Sequence, residues 1–293
     1  MTRTSPESRH GILVVGSLHY DIMVEADHLP RRDETGVGSR WYPKFGGKGG
    51  NQAVAAARAG APVRMLGAVG ADDFGAFLTR HLAQAGVDGS AIAVIDGVGS
   101  GMSVAIADAT GDYAATIVSG ANLHIDPARL ADPALWRGVG AVVLQNEVPE
   151  AVNLAAALGA RAHGAKVLLN AAPARTLSPE FAALVDVLVV NAVEAEMLGT
   201  APVTDLATAQ DAALTLAARF GAVVVTAGAA GLALVDANDR AFTIPATRVK
   251  AVSSHGAGDC FTGTLAERLT RSLPLGEACA AASAAAARHV AGG

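Results

Sequence analysis

The stretch Ser253-Ser-His-Gly-Ala-Gly-Asp-Cys-Phe261 limits the fold and the chemistry of this chain more sharply than any other. The apolar residues after Phe261 have helical spacing, so we expect Asp259 close to the start of a helix. Gly256 and Gly258 allow a tight turn that directs unpaired N–H groups outward, and a helix N-terminus binds phosphate well. A carboxylate beside such an anion site suits phosphoryl transfer to a hydroxyl, with Asp259 taking the proton. A plain capping loop, in which Asp259 only stabilises the helix dipole, fits these nine residues equally well.

A second glycine-rich segment lies far upstream, at residues 45–60, with the sequence FGGKGGNQAVAAARAG. Its glycines allow a ligand to approach the backbone closely. We expect Asn51 to open an Ala-rich helix, either as its cap or as a hydrogen-bond partner of a sugar hydroxyl. The segment is not a Walker A loop, because the four-residue gap and the Ser or Thr after the lysine are missing, and it also lacks the dinucleotide-binding glycine fingerprint.

The composition of the chain is sufficient for one large α/β core and argues against several other classes of protein. Its 293 residues are 51% hydrophobic and 17% charged, enough to bury one large core. The net charge of −5 argues against a nucleic-acid-binding surface. Two cysteines, Cys260 and Cys279, are too few for a disulfide framework and are typical of a reducing cytoplasm. The polar N-terminal residues and the short apolar runs predict neither a signal peptide nor a membrane span.

Short apolar segments alternate with Ala-rich helical segments along most of the chain. Continuous apolar strands separated by helices predict a mostly parallel sheet that is covered on both faces. No linker or charge block divides the chain, so we expect a single domain over residues 1–293. Strands are predicted at residues 11–16, 63–69, 141–144, 166–169, 187–190 and 222–226, and helices at residues 53–59, 74–85 and 149–162.

Three segments together resemble the ribokinase family, the PfkB-type carbohydrate kinases. Residues 46–75 look like its N-terminal signature, residues 256–263 (GAGDCFTG) look like its C-terminal signature, and residues 169–199 are similar to the ribokinases proper. The resemblance implies a three-layer αβα sandwich with a central, mostly parallel sheet and a small β lid. It also implies a kinase that uses ATP and Mg²⁺ to phosphorylate the primary hydroxyl of a sugar, with D-ribose as the first expectation and ribose 5-phosphate as its product.

Two segments interrupt the alternation of strands and helices, at about residues 19–45 and 101–118. The second of them predicts two strands around Thr110-Gly111-Asp112. The family resemblance implies that both segments form the lid, which closes over the sugar and excludes water, although an edge hairpin fits the residues equally well. Trp41 and Tyr42 are expected to be buried within it, with packing on a sugar face or on a partner subunit as the alternatives. Many relatives pair through these strands, so the resemblance also implies a homodimer through the lid.

The resemblance assigns a sugar site to residues from both halves of the chain. Three of them also have plainer interpretations: Asp21 as a turn residue at a strand end, Lys48 as a solvated loop charge, and Glu147 as a cap of the next helix. The residues assigned to the sugar are His19, Asp21, Gly47, Lys48, Asn51 and Glu147.

The resemblance assigns the nucleotide to two later segments. Asn191 and Glu194 form an N-x-x-E pattern after a strand, where they would orient phosphate oxygens and water-bound Mg²⁺. A capping box explains the same pattern, and both interpretations can hold at once. Thr226, Gly228 and Gly231 resemble the family's glycine loop under the ATP phosphates, and a tight turn between strands fits them nearly as well.

Catalysis is assigned to the first stretch, again by resemblance. Asp259 would take the proton of the sugar hydroxyl as that oxygen attacks the γ-phosphorus of ATP. Gly256, Ala257 and Gly258 would form the anion hole together with the N–H group of Asp259, because preorganised donors stabilise the charge that develops there.

The chain departs from the family pattern at three places. His19 stands where ribokinases typically have Asn, so a nucleoside, another sugar or a sugar acid remains an alternative acceptor. Ser253 and His255 occupy a loop where ribokinases carry an aspartate of a monovalent-cation site, which leaves activation by K⁺ an open question. Relatives continue beyond the position of Gly293, so we expect either a shortened protein or a nucleotide site that is built differently. A sugar-binding protein without turnover is therefore a further alternative, and a Rossmann dehydrogenase is a distant third because its glycine fingerprint is missing.

Overall fold

The computed structural model describes residues 9–108, 113–253 and 255–292. The predicted turn at Thr110-Gly111-Asp112 lies outside the described residues. The strands are β1 (Gly11–Val15), β2 (His19–Ala26), β3 (Gly38–Gly46), β4 (Val63–Gly70), β5 (Asp88–Ile95), β6 (Met102–Asp108), β7 (Tyr113–Val118), β8 (Val139–Gln145), β9 (Lys166–Asn170), β10 (Val187–Asn191), β11 (Val223–Thr226), β12 (Gly231–Val235) and β13 (Ala241–Pro245). The α-helices are α1 (Lys48–Arg58), α2 (Asp73–Gln84), α3 (Glu150–His163), α4 (Pro179–Ala182), α5 (Ala192–Met197), α6 (Leu206–Ala217), α7 (Ala257–Thr270) and α8 (Leu275–Val290).

The larger of two sheets is mostly parallel, which confirms the predicted architecture. In the described part of the chain it has nine strands in the order β13-β12-β11-β10-β9-β8-β1-β4-β5. Strands β11, β12 and β13 pair antiparallel at one edge, and the remaining neighbours pair in parallel. The carboxyl ends of β8, β9, β10 and β11 therefore meet at one edge of the sheet, where open α/β folds bind ligands.

Helices cover both faces of this sheet and produce three layers. Successive strand residues point to opposite faces, so Leu13 and Val15 join one buried cluster whereas Ile12 and Val14 join the other. The first cluster includes residues of α3, α4, α5 and α6, and the second includes residues of α1, α2, α7 and α8. Among the described residues, no helix combines the length and the apolar character that crossing a membrane requires.

The two segments that interrupt the alternation form a separate four-stranded sheet in the order β3-β2-β6-β7. Its central pair, β2 and β6, is parallel, and both outer pairs are antiparallel. The expectation that Trp41 is buried there was wrong, because Trp41 lies on the edge strand β3 and its exposed fraction is 63%. Strand β1 leads into β2 and strand β3 leads into α1, so this sheet adjoins the carboxyl edge of the larger one.

Helix α1 begins at Lys48, so the prediction that Asn51 opens it was wrong. Gly47 is the N-cap, with a φ of 86°, and no side chain of the helix itself caps it. The N–H groups of the first turn are satisfied by other elements: Lys48 N donates to Glu147 Oε2 at 2.9 Å, and Gly50 N donates to the carbonyl oxygen of Ser17 at 2.9 Å. The start of α1 is thus set by tertiary contacts, which a local sequence pattern does not contain.

Helices α1 and α7 approach each other closely because of one glycine. A Cβ atom at Gly263 would lie 2.5 Å from the carbonyl oxygen of Gln52 and 2.8 Å from the backbone nitrogen of Ala56. Such distances exclude any side chain at this position unless the helices separate. The contact brings the two glycine-rich segments of the sequence side by side.

Candidate active site

A cavity of about 800 Å³ lies where α1, α7 and α8 meet strand β3. It brings residues of the two glycine-rich segments into one space, although they are about 200 positions apart in the chain. The sequence-predicted site residues that line it are Asn51, His255, Gly256 and Asp259. Its lining also includes the cationic side chains of Lys44, Arg58, Arg268 and Arg288.

Asp259 is the third residue of α7, and its exposed fraction is only 9%. Its Oδ2 accepts a hydrogen bond from Asn51 Nδ2 at 3.0 Å, and its Oδ1 accepts one from Gln52 Nε2 at 2.9 Å. Burial raises the pKa of Asp259, whereas Lys48 and the two amide donors act in the opposite direction. The carboxylate therefore faces α1 instead of capping its own helix, and Gly256 is the N-cap without a side-chain hydrogen bond.

The N-terminus of α7 has open space in front of it. Gly256 adopts a φ of 77°, which turns the chain into the helix, and the N–H groups of the first turn have no acceptor within the helix. A Cβ atom at Gly258 would meet no other atom within 4 Å. His289 Nε2 donates to the carbonyl oxygen of His255 at 2.9 Å and so holds the preceding loop in place. Among the described residues, Gly256 and Asp259 line the cavity, so the first turn of α7 borders that space.

Glu147 is the centre of a second polar cluster, just after strand β8. Its Oε2 accepts hydrogen bonds from Ser17 Oγ and from the backbone N–H of Lys48, and His19 Nδ1 lies 4.0 Å away. The interpretation of Glu147 as a cap of the next helix was wrong, because α3 has Pro149 as its N-cap and no side-chain cap. Lys48 is likewise the first residue of a helix and not a loop residue.

His19 is buried at the start of β2, with an exposed fraction of 3%. Among the described residues, none hydrogen-bonds to its Nε2 atom. A buried polar atom without a partner is costly, so this nitrogen is suited to a hydroxyl group of a ligand.

Asp21 lies inside strand β2, so the interpretation as a turn residue after a strand was wrong. The register places it opposite Lys44 on β3 and opposite Ser103 on β6, and Ser103 Oγ donates to Asp21 Oδ1. Burial raises the pKa of Asp21, opposed first by this hydrogen bond and then by the charges of His19, His255 and Lys44. Burial in turn lowers the pKa of Lys44, and the Asp21 charge opposes that shift. Of this pair, Lys44 lines the cavity, and Asp21 lies beside it on the neighbouring strand without lining the cavity itself.

Asn191 and Glu194 form a reciprocal capping box at the start of α5. Glu194 N donates to Asn191 Oδ1 at 2.8 Å, and Asn191 N donates to Glu194 Oε2 at 2.9 Å. Burial raises the pKa of Glu194, the charge of Asp259 acts in the same direction, and that of Lys48 opposes it. Glu194 therefore interacts electrostatically with Lys48 and Asp259 across the carboxyl edge of the sheet.

Thr226 ends β11, Gly231 begins β12, and Gly228 lies between the two strands. None of these three residues lines the cavity. Thr226 is the register partner of Asn191 at the end of the neighbouring strand. Gly228 has a φ of 54° and open space around it, whereas a Cβ atom at Gly231 would lie 2.2 Å from the carbonyl oxygen of Ile244. Packing against β13 therefore accounts for the glycine at position 231 without any ligand.

The loop before α7 is tied to the end of α8. The N–H groups of Val252 and Ser253 both donate to the carbonyl oxygen of Val290, at 2.8 and 3.3 Å. Ser253 Oγ accepts a hydrogen bond from the N–H of His255 at 3.2 Å. Within the described ranges, no group of three or more His, Cys, Asp or Glu side chains is arranged to hold a metal ion.

Several residues of these clusters were missed from the sequence. Gln52 follows Asn51 directly in the glycine-rich segment, and its side chain contacts Asp259. Gln145 and Asn170 end strands β8 and β9, and both contact Gln52. A polar residue at the last position of a buried apolar strand was the available signal. Ser17 and Ser103 carry no comparable signal, because only the fold brings them to Glu147 and Asp21.

Comparisons with known proteins, by sequence and by structure, agree on one group of proteins, the carbohydrate kinases. The sequence model described as pfkB family carbohydrate kinase matches residues 9–291. The chain is 32% identical to ribokinase from Haemophilus influenzae over 286 residues, which is 96% of this chain and 92% of that protein. It is 34% identical to deoxyribokinase from Salmonella typhi over 265 residues, 89% of this chain and 86% of that protein. The solved structure of Arabidopsis thaliana ribokinase complexed with ribose and ATP is similar, with a TM-score of 0.87 and 27% identity, covering 95% of this chain and 92% of that one.

Proposed function

Since the chain belongs to the pfkB family and is a carbohydrate kinase, we propose that it transfers the γ-phosphoryl group of ATP to the primary hydroxyl of D-ribose. The product is ribose 5-phosphate. The observation that carries this proposal is the buried carboxylate of Asp259, which lies beside the open N-terminus of α7 and contacts Asn51 of the other motif. A ribokinase similar over nearly the whole chain supports ribose as the acceptor.

In the proposed reaction Asp259 accepts the hydroxyl proton while the sugar oxygen forms a bond to the γ-phosphorus. The bond from that phosphorus to the bridging oxygen breaks, and ADP leaves with the bond's electrons. A pKa raised by burial suits a carboxylate that must hold a proton during the reaction. The N–H groups of Ala257, Gly258 and Asp259 hold the transferring group, and such donors are worth about 3 kcal/mol each in comparable sites.

The acceptor is bound by the residues around Glu147 and Asp21. Hydrogen-bonding positions for sugar hydroxyls are provided by His19 Nε2, which has no partner among the described residues, and by the carboxylate oxygens of Asp21 and Glu147. Gly47, Lys48 and Asn51 border the same region at the start of α1.

ATP is proposed to bind along the carboxyl edge formed by β10 and β11, over Asn191, Thr226 and Gly228. Glu194 fits a role beside Mg²⁺, because one of its carboxylate oxygens caps Asn191. The other accepts no hydrogen bond in the described part of the chain and can hold a water of the ion. Bound Mg²⁺ would neutralise charge on the phosphates, and a single carboxylate is sufficient for an ion that keeps most of its waters.

A second candidate function is phosphorylation of a different acceptor, such as 2-deoxyribose, a nucleoside, another sugar or a sugar acid. His19 favours this candidate, because a buried imidazole is bulkier than the Asn that ribokinases typically have at this position, and the deoxyribokinase similarity supports it. A chain that binds sugar without turnover is the third candidate.

The test is ADP release with Mg²⁺-ATP and a panel of D-ribose, 2-deoxyribose, a purine nucleoside, fructose and 2-keto-3-deoxygluconate. We expect the highest kcat/KM with ribose. If another acceptor gives a higher kcat/KM than ribose, that acceptor replaces ribose in the proposal. Thermal stabilisation by a sugar without any ADP release would establish the binding-only candidate instead.

The four-stranded sheet is proposed as the lid of a single domain, and a second copy of the chain is its proposed partner. Trp41 on β3, with Ile117 and Val118 on β7, exposes apolar surface on the two edge strands of this sheet. Sedimentation of the wild type and of Trp41→Glu tests the dimer, because a negative charge on this apolar surface should dissociate it.

The free thiols of Cys260 and Cys279 support a reducing compartment such as the cytoplasm.

A further inference from the structure

Asp259 is joined to a buried chain of amide side chains from three other elements. We propose that Gln52 of α1 is a positioning residue for Asp259. The Gln52 side chain holds one carboxylate oxygen of Asp259 on the buried side and favours the ionised form of this base. This inference rests on the proposed role of Asp259 in proton transfer.

Gln52 is completely buried, and its side-chain amide uses all of its main hydrogen-bonding positions. Its Nε2 donates to Asp259 Oδ1 at 2.9 Å and to Asn170 Oδ1 at 3.0 Å. Its Oε1 accepts from Gln145 Nε2 at 2.8 Å. One amide thus connects the carboxylate to the ends of strands β8 and β9.

The orientation of the Gln52 amide follows from a backbone group that can only accept. Asn170 Nδ2 donates to the carbonyl oxygen of Val189 at 3.2 Å, so Asn170 must present its own carbonyl oxygen to Gln52. A second carbonyl facing that oxygen would be repelled, and Gln52 must therefore turn its N–H groups toward Asn170. The same nitrogen then donates to Asp259.

The two oxygens of Asp259 have different surroundings. Asn51, which donates to Oδ2, lines the cavity together with Asp259, whereas Gln52, which donates to Oδ1, does not. Oδ1 is therefore held on the buried side, and Oδ2 is the oxygen that takes the proton. A donor to an ionised carboxylate lowers its pKa, so Gln52 opposes the rise that burial causes.

Two glycines make room for this chain of amides. Gly263 permits the approach of α7 to the backbone of Gln52, where a Cβ atom would come within 2.5 Å. A Cβ atom at Gly16 would lie 1.9 Å from Gln145 Oε1. The Gln145 amide thus occupies space that a side chain at position 16 would fill, and the missing side chain at position 263 lets the two helices that carry Gln52 and Asp259 pack closely.

The test is the pH dependence of kcat/KM for the sugar, at saturating ATP, in Gln52→Met. Methionine has a similar volume and no donor. We expect kcat/KM at pH 7 to fall about tenfold or more, because a hydrogen bond to a charged group is lost. The acid limb of the profile should move to higher pH, because the pKa of Asp259 rises further. A purely structural role would leave that limb where it is in the wild type.

Gln145→Met is the matched control, because it removes a donor to Gln52 but keeps the bond from Gln52 to Asp259. Its acid limb should coincide with that of the wild type, even if thermal unfolding shows a similar loss of stability in both variants. An unmoved limb in Gln52→Met, or an equal movement in Gln145→Met, overturns the inference.

Gln52→Glu keeps the test decisive if the methionine variant does not fold. A protonated glutamic acid can still donate to Asp259, but its ionised form places a second negative charge beside the first. We expect a new alkaline limb in the pH profile, and its absence overturns the inference. If the wild type releases no ADP with any acceptor, the proposed function fails. If Asp259→Asn keeps its activity, the assignment of Asp259 as the base fails. Both outcomes are separate from an inactive Asp259→Asn with an unmoved Gln52→Met profile, in which only the inference about Gln52 fails.

Discussion

Asp259 and the Asn191–Glu194 turn are both at the carboxyl edge of the sheet, but they are held in different ways. The carboxylate of Asp259 is fixed by side chains 207 and 208 positions away in the chain, on another helix. Asn191 and Glu194 are fixed by each other, three positions apart. Local helix capping is sufficient to account for the second pair. The first turn of α7 favours a carboxylate at Asp259 through the helix dipole, but no local structural need buries that carboxylate against α1. The contrast teaches that a residue without a structural reason is the stronger indicator of chemistry.

The largest expected effect comes from separating the two helices that hold Asp259. Gly263→Ala adds a Cβ that meets the backbone of α1 at 2.5 to 2.8 Å, so we expect a loss of about 1–3 kcal/mol in the free energy of unfolding. Turnover should fall as well, because Gln52 and Asn51 move away from Asp259. Thermal unfolding and ADP release measure both effects.

Gly276→Ala is the matched control for that change, because Gly276 is also helical and a Cβ there meets nothing within 4 Å. Alanine is the better helix former, so this variant should be as stable as the wild type or up to about 1 kcal/mol more stable. Equal stability of the two variants would show that the close approach of α1 and α7 does not contribute to the free energy of unfolding.

An intermediate effect is expected at Glu194, and it separates capping from magnesium binding. Glu194→Gln retains an acceptor for the N–H of Asn191 but removes the charge. If the carboxylate holds a water of Mg²⁺, the Mg²⁺ concentration for half-maximal turnover should rise about tenfold, the size of one lost charge-assisted hydrogen bond. Thermal stability should change little. Unchanged Mg²⁺ dependence would leave Glu194 with its capping role alone.

The smallest effect concerns K⁺. Ser253 contributes a neutral hydroxyl to the loop before α7, and that hydroxyl already accepts the N–H of His255. Turnover measured with K⁺ and with tetramethylammonium at equal ionic strength should therefore differ little. A strong dependence on K⁺ would mean that backbone carbonyls of this loop bind the ion without a carboxylate.

The sequence predicted the central sheet well, for a physical reason. Strands that are buried on both faces need continuous apolar residues, and this pattern is visible without a fold. Strands β5, β12 and β13 were not predicted. Strands β5 and β13 lie at the two edges of the sheet and mix exposed with partly buried residues, whereas the fully buried strand β12 was missed although its residues Gly231–Val235 are apolar. The mixed pattern of β2 likewise concealed that Asp21 lies within a strand.

In the candidate site, only the residues that stand in sequence motifs could be predicted. Asn51 and Asp259 stand in two glycine-rich segments, and the structure brings them together. Gln145 and Asn170 act on Gln52 across 93 and 118 positions, and no local pattern encodes such contacts. The start of α1 was misplaced for the same reason, since Glu147 satisfies its first N–H group from a distant strand end.

The most direct test of the central claim compares the wild type with Asp259→Asn in ADP release with Mg²⁺-ATP and D-ribose, with ribose binding measured separately by calorimetry. The proposed general base predicts a fall in kcat of about 100-fold to 10,000-fold, with ribose affinity within a few-fold of the wild type. A variant that keeps most of its turnover would contradict the assignment of Asp259 as the base.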